Sequence, residues 1–210
     1  MQIYRRVMIA LVAVAMTLTA APAFAQGAGQ TQVNTGLGIG VLGGLTFSKL
    51  KCDANDCDDA QNGKGFMAGI WFGGNRDGRA GLMGEVSYVT KKLKFEGDEG
   101  DVKFTYVSIP VLLRINTGYR ERDKPSLYFL VGPVFDIQIK QQFDGVDDPS
   151  DVYRKLEIGV AAGAGFEVAR VGIEGRYQWA LKSVLSTDEA AAEGNPKINS
   201  FMVIVKIRLN

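Results

Sequence analysis

The sequence predicts an all-β chain, a single antiparallel up-and-down transmembrane β-barrel of about eight strands. Three observations predict it. Apolar residues alternate with small or polar ones through most of the chain, and a period of two is the strand period. The N-terminus has the layout of an export signal. Beyond that signal no apolar run reaches helical spanning length. A chain held in lipid must then close a barrel, because only helices and barrels satisfy every backbone polar group there.

The export signal occupies residues 1–25. Arg5 and Arg6 form a short positive region, Val7 to Ala21 is apolar, and Pro22 ends the run before Ala23-Phe24-Ala25, an A-x-A cleavage site. The run is shorter than the ~20 residues a spanning helix needs. A mature chain beginning at Gln26 keeps 185 of the 210 residues (210 minus 25). Residues 26–35 are polar and rich in Gly and Gln, a flexible leader, and 36–210 are the barrel domain.

Eight segments carry the alternation. The first, about Gly36 to Ser48, sets Leu37, Ile39, Val41, Leu45 and Phe47 against glycines and Thr46. The second, Gly65 to Gly73, has Phe66, Ala68, Ile70 and Phe72 on its apolar face. The third, Ala80 to about Phe95, opposes Leu82, Val86 and Tyr88 to Glu85, Ser87 and Lys91. The fourth, Val102 to Ile115, opposes Val107, Ile109, Val111, Leu113 and Ile115 to Tyr106, Ser108, Pro110, Leu112 and Arg114. The fifth covers about Ser126 to Gln142, the sixth Tyr153 to Val168, the seventh Val171 to Lys182 and the eighth Lys197 to Leu209. An even number of strands of this length is what a bacterial outer-membrane barrel needs.

The connections differ in kind. Lys49–Lys64, Glu96–Asp101, Phe143–Val152 and Ser183–Pro196 are acidic, and most are long. Gly74–Arg79 and Ala169-Arg170 are short, and Asn116–Pro125 is turn-rich. Long loops on one rim and tighter turns on the other fit such a barrel, whose long loops face outward.

Alternation alone does not say which face meets lipid, since a soluble barrel such as a lipocalin has the reverse arrangement. The charges favour the membrane. Glu85, Arg114, Asp136, Lys140, Glu157, Glu167, Glu174, Arg176, Lys206 and Arg208 fall mid-strand on the polar faces, five acidic and five basic, beside many glycines. In a narrow lumen they form a mutually neutralising network. Glycine on that face leaves room for large neighbours, whereas on a solvated face it would weaken the strands. Tyr88, Phe104, Phe129, Tyr153, Tyr177, Trp179 and Phe201 are placed as interfacial girdles are.

Several segments resemble the outer-membrane β-barrel proteins of the PorT-like type. Gly43-Gly44-Leu45-Thr46-Phe47-Ser48 is similar to the family's opening strand, and Gly65-Phe66-Met67-Ala68-Gly69 to the start of its second. Tyr106-Val107-Ser108-Ile109-Pro110-Val111-Leu112-Leu113-Arg114 resembles its most specific strand, of the form YLEIPLLLK. Leu130-Val131-Gly132-Pro133, Gly159 to Phe166 and Glu174-Gly175-Arg176-Tyr177 follow in the family's order. The resemblance spans about Gly36 to Leu209 and implies an eight-stranded barrel in the outer membrane, some of whose relatives assist secretion. It also implies the membrane's lipids and the barrel-insertion machinery as partners. The ending Arg208-Leu209-Asn210 departs from the terminal aromatic that the machinery often reads.

Catalysis has little support. With no His, the Ser-His-Asp and Cys-His arrangements and His metal sites are excluded. Glu167 and Glu174 are a conceivable acid–base pair, but a salt-bridge network explains them more simply. No cofactor motif is present: Gly36-Leu37-Gly38-Ile39-Gly40 lies in a strand with no helix after it. A mature balance of 22 basic to 23 acidic residues, once Arg5 and Arg6 leave, argues against a nucleic-acid partner. Cys52 and Cys57, exported to an oxidising compartment, are expected to pair within the first long loop. A Ca²⁺ site from Asp53, Asn55, Asp56, Asp58 and Asp59 is the weaker reading, since the spacing is not that of an EF-hand. The expected role is structural or interactive, with a protein partner reached through the acidic loops. The alternatives are a narrow ion-conducting pore, and a soluble lipocalin-like carrier in the periplasm.

Overall fold

The computed structural model describes residues 37–76, apart from 52–59, then 78–95, 101–117, 124–143, 146–147, 156–181 and 197–210. The strands are β1 (Gly38–Lys51), β2 (Ala60–Gly73), β3 (Ala80–Phe95), β4 (Asp101–Asn116), β5 (Ser126–Phe143), β6 (Val146–Asp147), β7 (Leu156–Val168), β8 (Val171–Ala180) and β9 (Lys197–Arg208). Every pairing is antiparallel, in the order β4-β3-β2-β1-β9-β8-β7-β5, and β4 also pairs with β5. That last pairing closes an eight-stranded barrel and leaves no sheet edge among its staves. The two-residue β6 is an addition to the expected eight and extends the end of β5, with Phe143 opposite Val146.

The first hairpin is taller than the alternation suggested. β1 and β2 run to Lys51 and from Ala60, so the connection shrinks to 52–59. β1 and β2 pair with each other only as far as Ser48 and Gly63. Beyond that β1 pairs with β9 and β2 with β3, and Lys49 and Lys64 lie on the outward face. Cys52, Cys57 and the acidic residues between and after them lie outside the described residues, as do Tyr153 and residues 1–36.

The outward face is apolar and the inward face polar. On β9, Phe201, Val203, Val205 and Ile207 are exposed, while Met202, Ile204, Lys206 and Arg208 between them are buried. Leu45 on β1 sits in register with Phe66 on β2 and Val203 on β9, all three exposed. A soluble carrier needs the opposite arrangement, so this inversion overturns the lipocalin-like alternative. Aromatic side chains gather outside toward the long-loop end: Phe47 with Phe201, Phe66 with Tyr88, and Tyr177 with Trp179, ring centroids 6.4, 5.9 and 4.7 Å apart. Phe104 corrects the expected girdle. It is buried in the lumen against Tyr106, because it shares the inward parity of Tyr106 and Ser108.

Interior glycines are notches for large side chains. A Cβ on Gly165 would collide with the Tyr128 ring, and one on Gly40 with Trp71 and the Ile207 carbonyl. Elsewhere the chain turns tightly. Gly73 and Gly74 take positive φ (92° and 64°) at the β2 end, and Ala169 adopts φ 51° in the two-residue β7–β8 turn. A bulge interrupts β5. Thr105 pairs with Lys140 but Tyr106 pairs with Gln138, so Ile139 is the extra residue. The inserted residue flips the parity beyond it, turning Lys140 outward and Gln141 inward.

An arginine placed in the middle of the outward band is expected to cost about 2–4 kcal/mol in lipid. Leu45→Arg should show that loss in urea unfolding from lipid vesicles. A cost near zero would mean that Leu45 does not face lipid.

Candidate functional site: the charged lumen

The pleat sends the polar positions of eight strands into one narrow space. Nine of the ten charges expected there are buried: Glu85, Arg114, Asp136, Glu157, Glu167, Glu174, Arg176, Lys206 and Arg208. The tenth, Lys140, is exposed and corrects the expectation, the Ile139 bulge having turned it out. Two cations join the nine, Lys91 and Arg76. Lys91 shares the inward parity of Glu85 and Ser87, a signal available in the sequence. Arg76 lies in the β2–β3 turn, which folds back under the barrel mouth. Its Nη2 donates to the Lys124 carbonyl at 3.0 Å.

The charges fall into three tiers. In the middle tier the Arg176 fork donates to both oxygens of Glu85, Nη1 to Oε2 at 2.8 Å and Nη2 to Oε1 at 2.7 Å. Its Nε donates to Glu174 at 2.7 Å. Lys206 bridges the same two carboxylates, 2.8 Å from Glu85 and 2.6 Å from Glu174. The Tyr128 hydroxyl donates to Glu174 at 3.2 Å. β3, which carries Glu85, and β8, which carries Arg176, lie four places apart in the ring, with three staves between them on either side. In an eight-stranded barrel those staves are diametrically opposed, so this pair spans the lumen.

Toward the long loops, Lys91 lies 2.7 Å from Asp136 and 3.6 Å from Glu157. The Tyr106 hydroxyl donates to Glu157, and the Gln178 amide donates to Asp136 at 2.7 Å. Above this tier Leu93, Val102, Phe104 and Ile198 form an apolar layer. Toward the short turns, Glu167 receives Arg114 at 2.6 Å, with Arg208 at 3.4 Å and Arg76 at 3.8 Å. The Arg114 guanidinium also stacks over Tyr128, 3.9 Å from the ring centroid.

Each tier has its own balance. The upper has one cation for two carboxylates, the middle two for two, and the lower three for one. The lumen is therefore graded from negative at the loop end to positive at the turn end. Glu167 and Glu174, the conceivable acid–base pair, are engaged by different cations in different tiers. What the arrangement does physically is fill space and tie opposite walls together.

The model of the outer membrane protein beta-barrel domain family matches residues 24–186. No curated protein matches the sequence. Among solved structures, the chain is similar to Neisserial surface protein A, at 18% identity over 83% of this chain and 99% of that one, with a TM-score of 0.49. It is also similar to Ail, the attachment invasion locus protein of Yersinia pestis, in complex with the heparin analogue sucrose octasulfate. There the identity is 19% over 82% of this chain and 99% of that one, with a TM-score of 0.46.

Removing one partner of a buried pair leaves the other charge uncompensated, at about 3–5 kcal/mol. Glu85→Gln, which leaves Arg176 and Lys206 to share the one carboxylate of Glu174, should lose that much in vesicle unfolding. Lys91→Met is expected to be comparably severe, because it leaves Asp136 and Glu157 facing each other. Lys140→Gln should stay within ~0.5 kcal/mol, as exposed changes do. Equal effects at Lys91 and Lys140 would contradict the outward turn at the bulge.

Proposed function

The chain belongs to the outer membrane protein beta-barrel domain family, and on that basis we propose that it is a non-conducting, non-enzymatic barrel of the bacterial outer membrane with a structural or interaction role. The observation that carries this reading is the Arg176–Glu85 pair, which crosses the lumen and is braced by Lys206 and Glu174. An eight-stranded barrel has an interior just wide enough for side chains, and here three tiers of them occupy it. Contact with other molecules then falls to the outer wall and to the long connections, which carry acidic runs such as Asp144-Gly145-Val146-Asp147-Asp148. The ordered strand motifs support a finer placement among PorT-like barrels. The same reading includes export through a leader cleaved after Ala25.

In planar bilayers the purified chain is expected to show no stepwise openings. Regular unit conductance would replace this reading with the narrow pore. N-terminal sequencing of protein from the outer-membrane fraction should begin at Gln26, and an intact Met1 would remove the cleaved leader. A photo-crosslinking residue at Asp148 should capture a protein partner in intact cells. Adducts with lipid alone would reduce the role to a structural one.

A further inference from the structure

The charges outside the barrel are distributed quite differently from those inside. Among the described residues, every strand carboxylate with a described side chain lies in the lumen. Among the strand residues with described side chains, the outward charges are all lysines, and all sit at the long-loop end: Lys197, Lys49, Lys64, Lys92, Lys103 and Lys140. They occupy six contiguous staves, β9, β1, β2, β3, β4 and β5. Their heights match. Lys92 is directly opposite Lys103, Lys64 is opposite Phe47, two residues before Lys49, and Lys103 is opposite Gln142, two residues beyond Lys140.

Among the described residues, the strands carry no outward lysine at the other end of the same face, where the exposed cations Arg79, Lys124 and Arg170 lie in the turns. Ile39, Phe72, Leu82, Ile115, Leu127 and Ile207 keep it apolar close to the strand ends. The aromatic pair Phe47–Phe201 lies level with Lys64, and Phe66–Tyr88 lies just inside the lysines. Aromatic girdles mark the headgroup boundary of a membrane barrel, so the lysines stand at headgroup height in the leaflet facing the long loops. Like charges directly across a strand pair are destabilising, as for Lys92 and Lys103, unless an anion lies over them. A free anion would have no use for the adjoining apolar wall, whereas a lipid with a phosphorylated headgroup uses both.

We propose that these lysines form a belt that holds the phosphate groups of outer-leaflet lipid, whose acyl chains lie along the apolar wall below. Among the described residues β7 and β8 carry no outward lysine, and Leu156, Trp179 and Leu181 are exposed toward their loop ends, so the lipid held by these six lysines forms a crescent. This site is independent of whatever the loops contact.

The test uses the full chain refolded in zwitterionic detergent, with lipid A carrying both phosphates, lipid A stripped of them, and inorganic phosphate as probes. Folding is checked by the difference in gel migration between boiled and unboiled samples, and bound lipid is counted by native mass spectrometry. The wild-type chain should retain the phosphorylated lipid about tenfold or more over the stripped one, with the preference falling as salt rises. The variant K49Q/K64Q/K92Q/K103Q should bind both lipids alike, and the fourfold Lys→Arg variant should keep the preference. Should the Gln variant fail to fold, K49Q/K64Q and K92Q/K103Q are each expected to show a partial loss. An undiminished preference in the Gln variants, or equal retention of the two lipids by the wild type, would overturn the belt. Complete displacement of lipid by millimolar inorganic phosphate would also overturn it, by showing a site for a free anion.

Discussion

The bidentate contact between Arg176 and Glu85 is the constraint on which the rest of the barrel depends. It joins opposite walls, through residues far apart in the chain, in a space from which most water is excluded. Dehydrating each ion costs several kcal/mol, and attraction offsets that only when the remaining donors and acceptors are also occupied. Lys206, Glu174 and Tyr128 supply those partners. The pair is therefore stable as part of a group of five side chains and costly as a fragment. That requirement forces the neighbouring inward positions to be polar, and the pleat then makes the alternate positions the wall that meets lipid.

Space imposes the second constraint. Tyr128 serves two tiers, donating to Glu174 and lying under Arg114, and it fits because Gly165 offers no Cβ. Trp71 similarly lies against Gly38 and Gly40 beneath Arg208. The glycines that would weaken a solvated strand are here the complement of large residues on adjoining staves. Packing and charge select the same inward face, which is why one register satisfies both.

Much of this was legible in the sequence because a period of two is both the strand signal and the inside–outside signal. The eight staves, the outward apolar wall and nine of the buried charges follow from it. Parity also places Lys91 on the polar face of Glu85 and Ser87, and the same parity puts Phe104 on the face of Tyr106, against its expected place in the girdle. Lys140 was illegible for a different reason. One inserted residue at Ile139 reverses parity, and no residue type in Ile137-Gln138-Ile139-Lys140 announces it. Arg76 was hidden because a charged residue in a turn ordinarily faces water, and only the folded mouth shows it reaching Lys124. Partner identity across the lumen, such as Arg176 with Glu85 instead of a nearer carboxylate, depends on barrel closure and cannot be read from spacing.

Accessibility of spin labels at the adjacent positions Met202 and Val203, in lipid vesicles, tests the central claim most directly. The account predicts that a label at 203 collides with dissolved oxygen but not with a water-soluble nickel chelate, as in hydrocarbon. A label at 202, facing the occupied lumen, should be reached by neither. Strong nickel collisions at 202 would show an open aqueous channel in place of a filled one, and oxygen access at 202 with nickel access at 203 would invert the barrel.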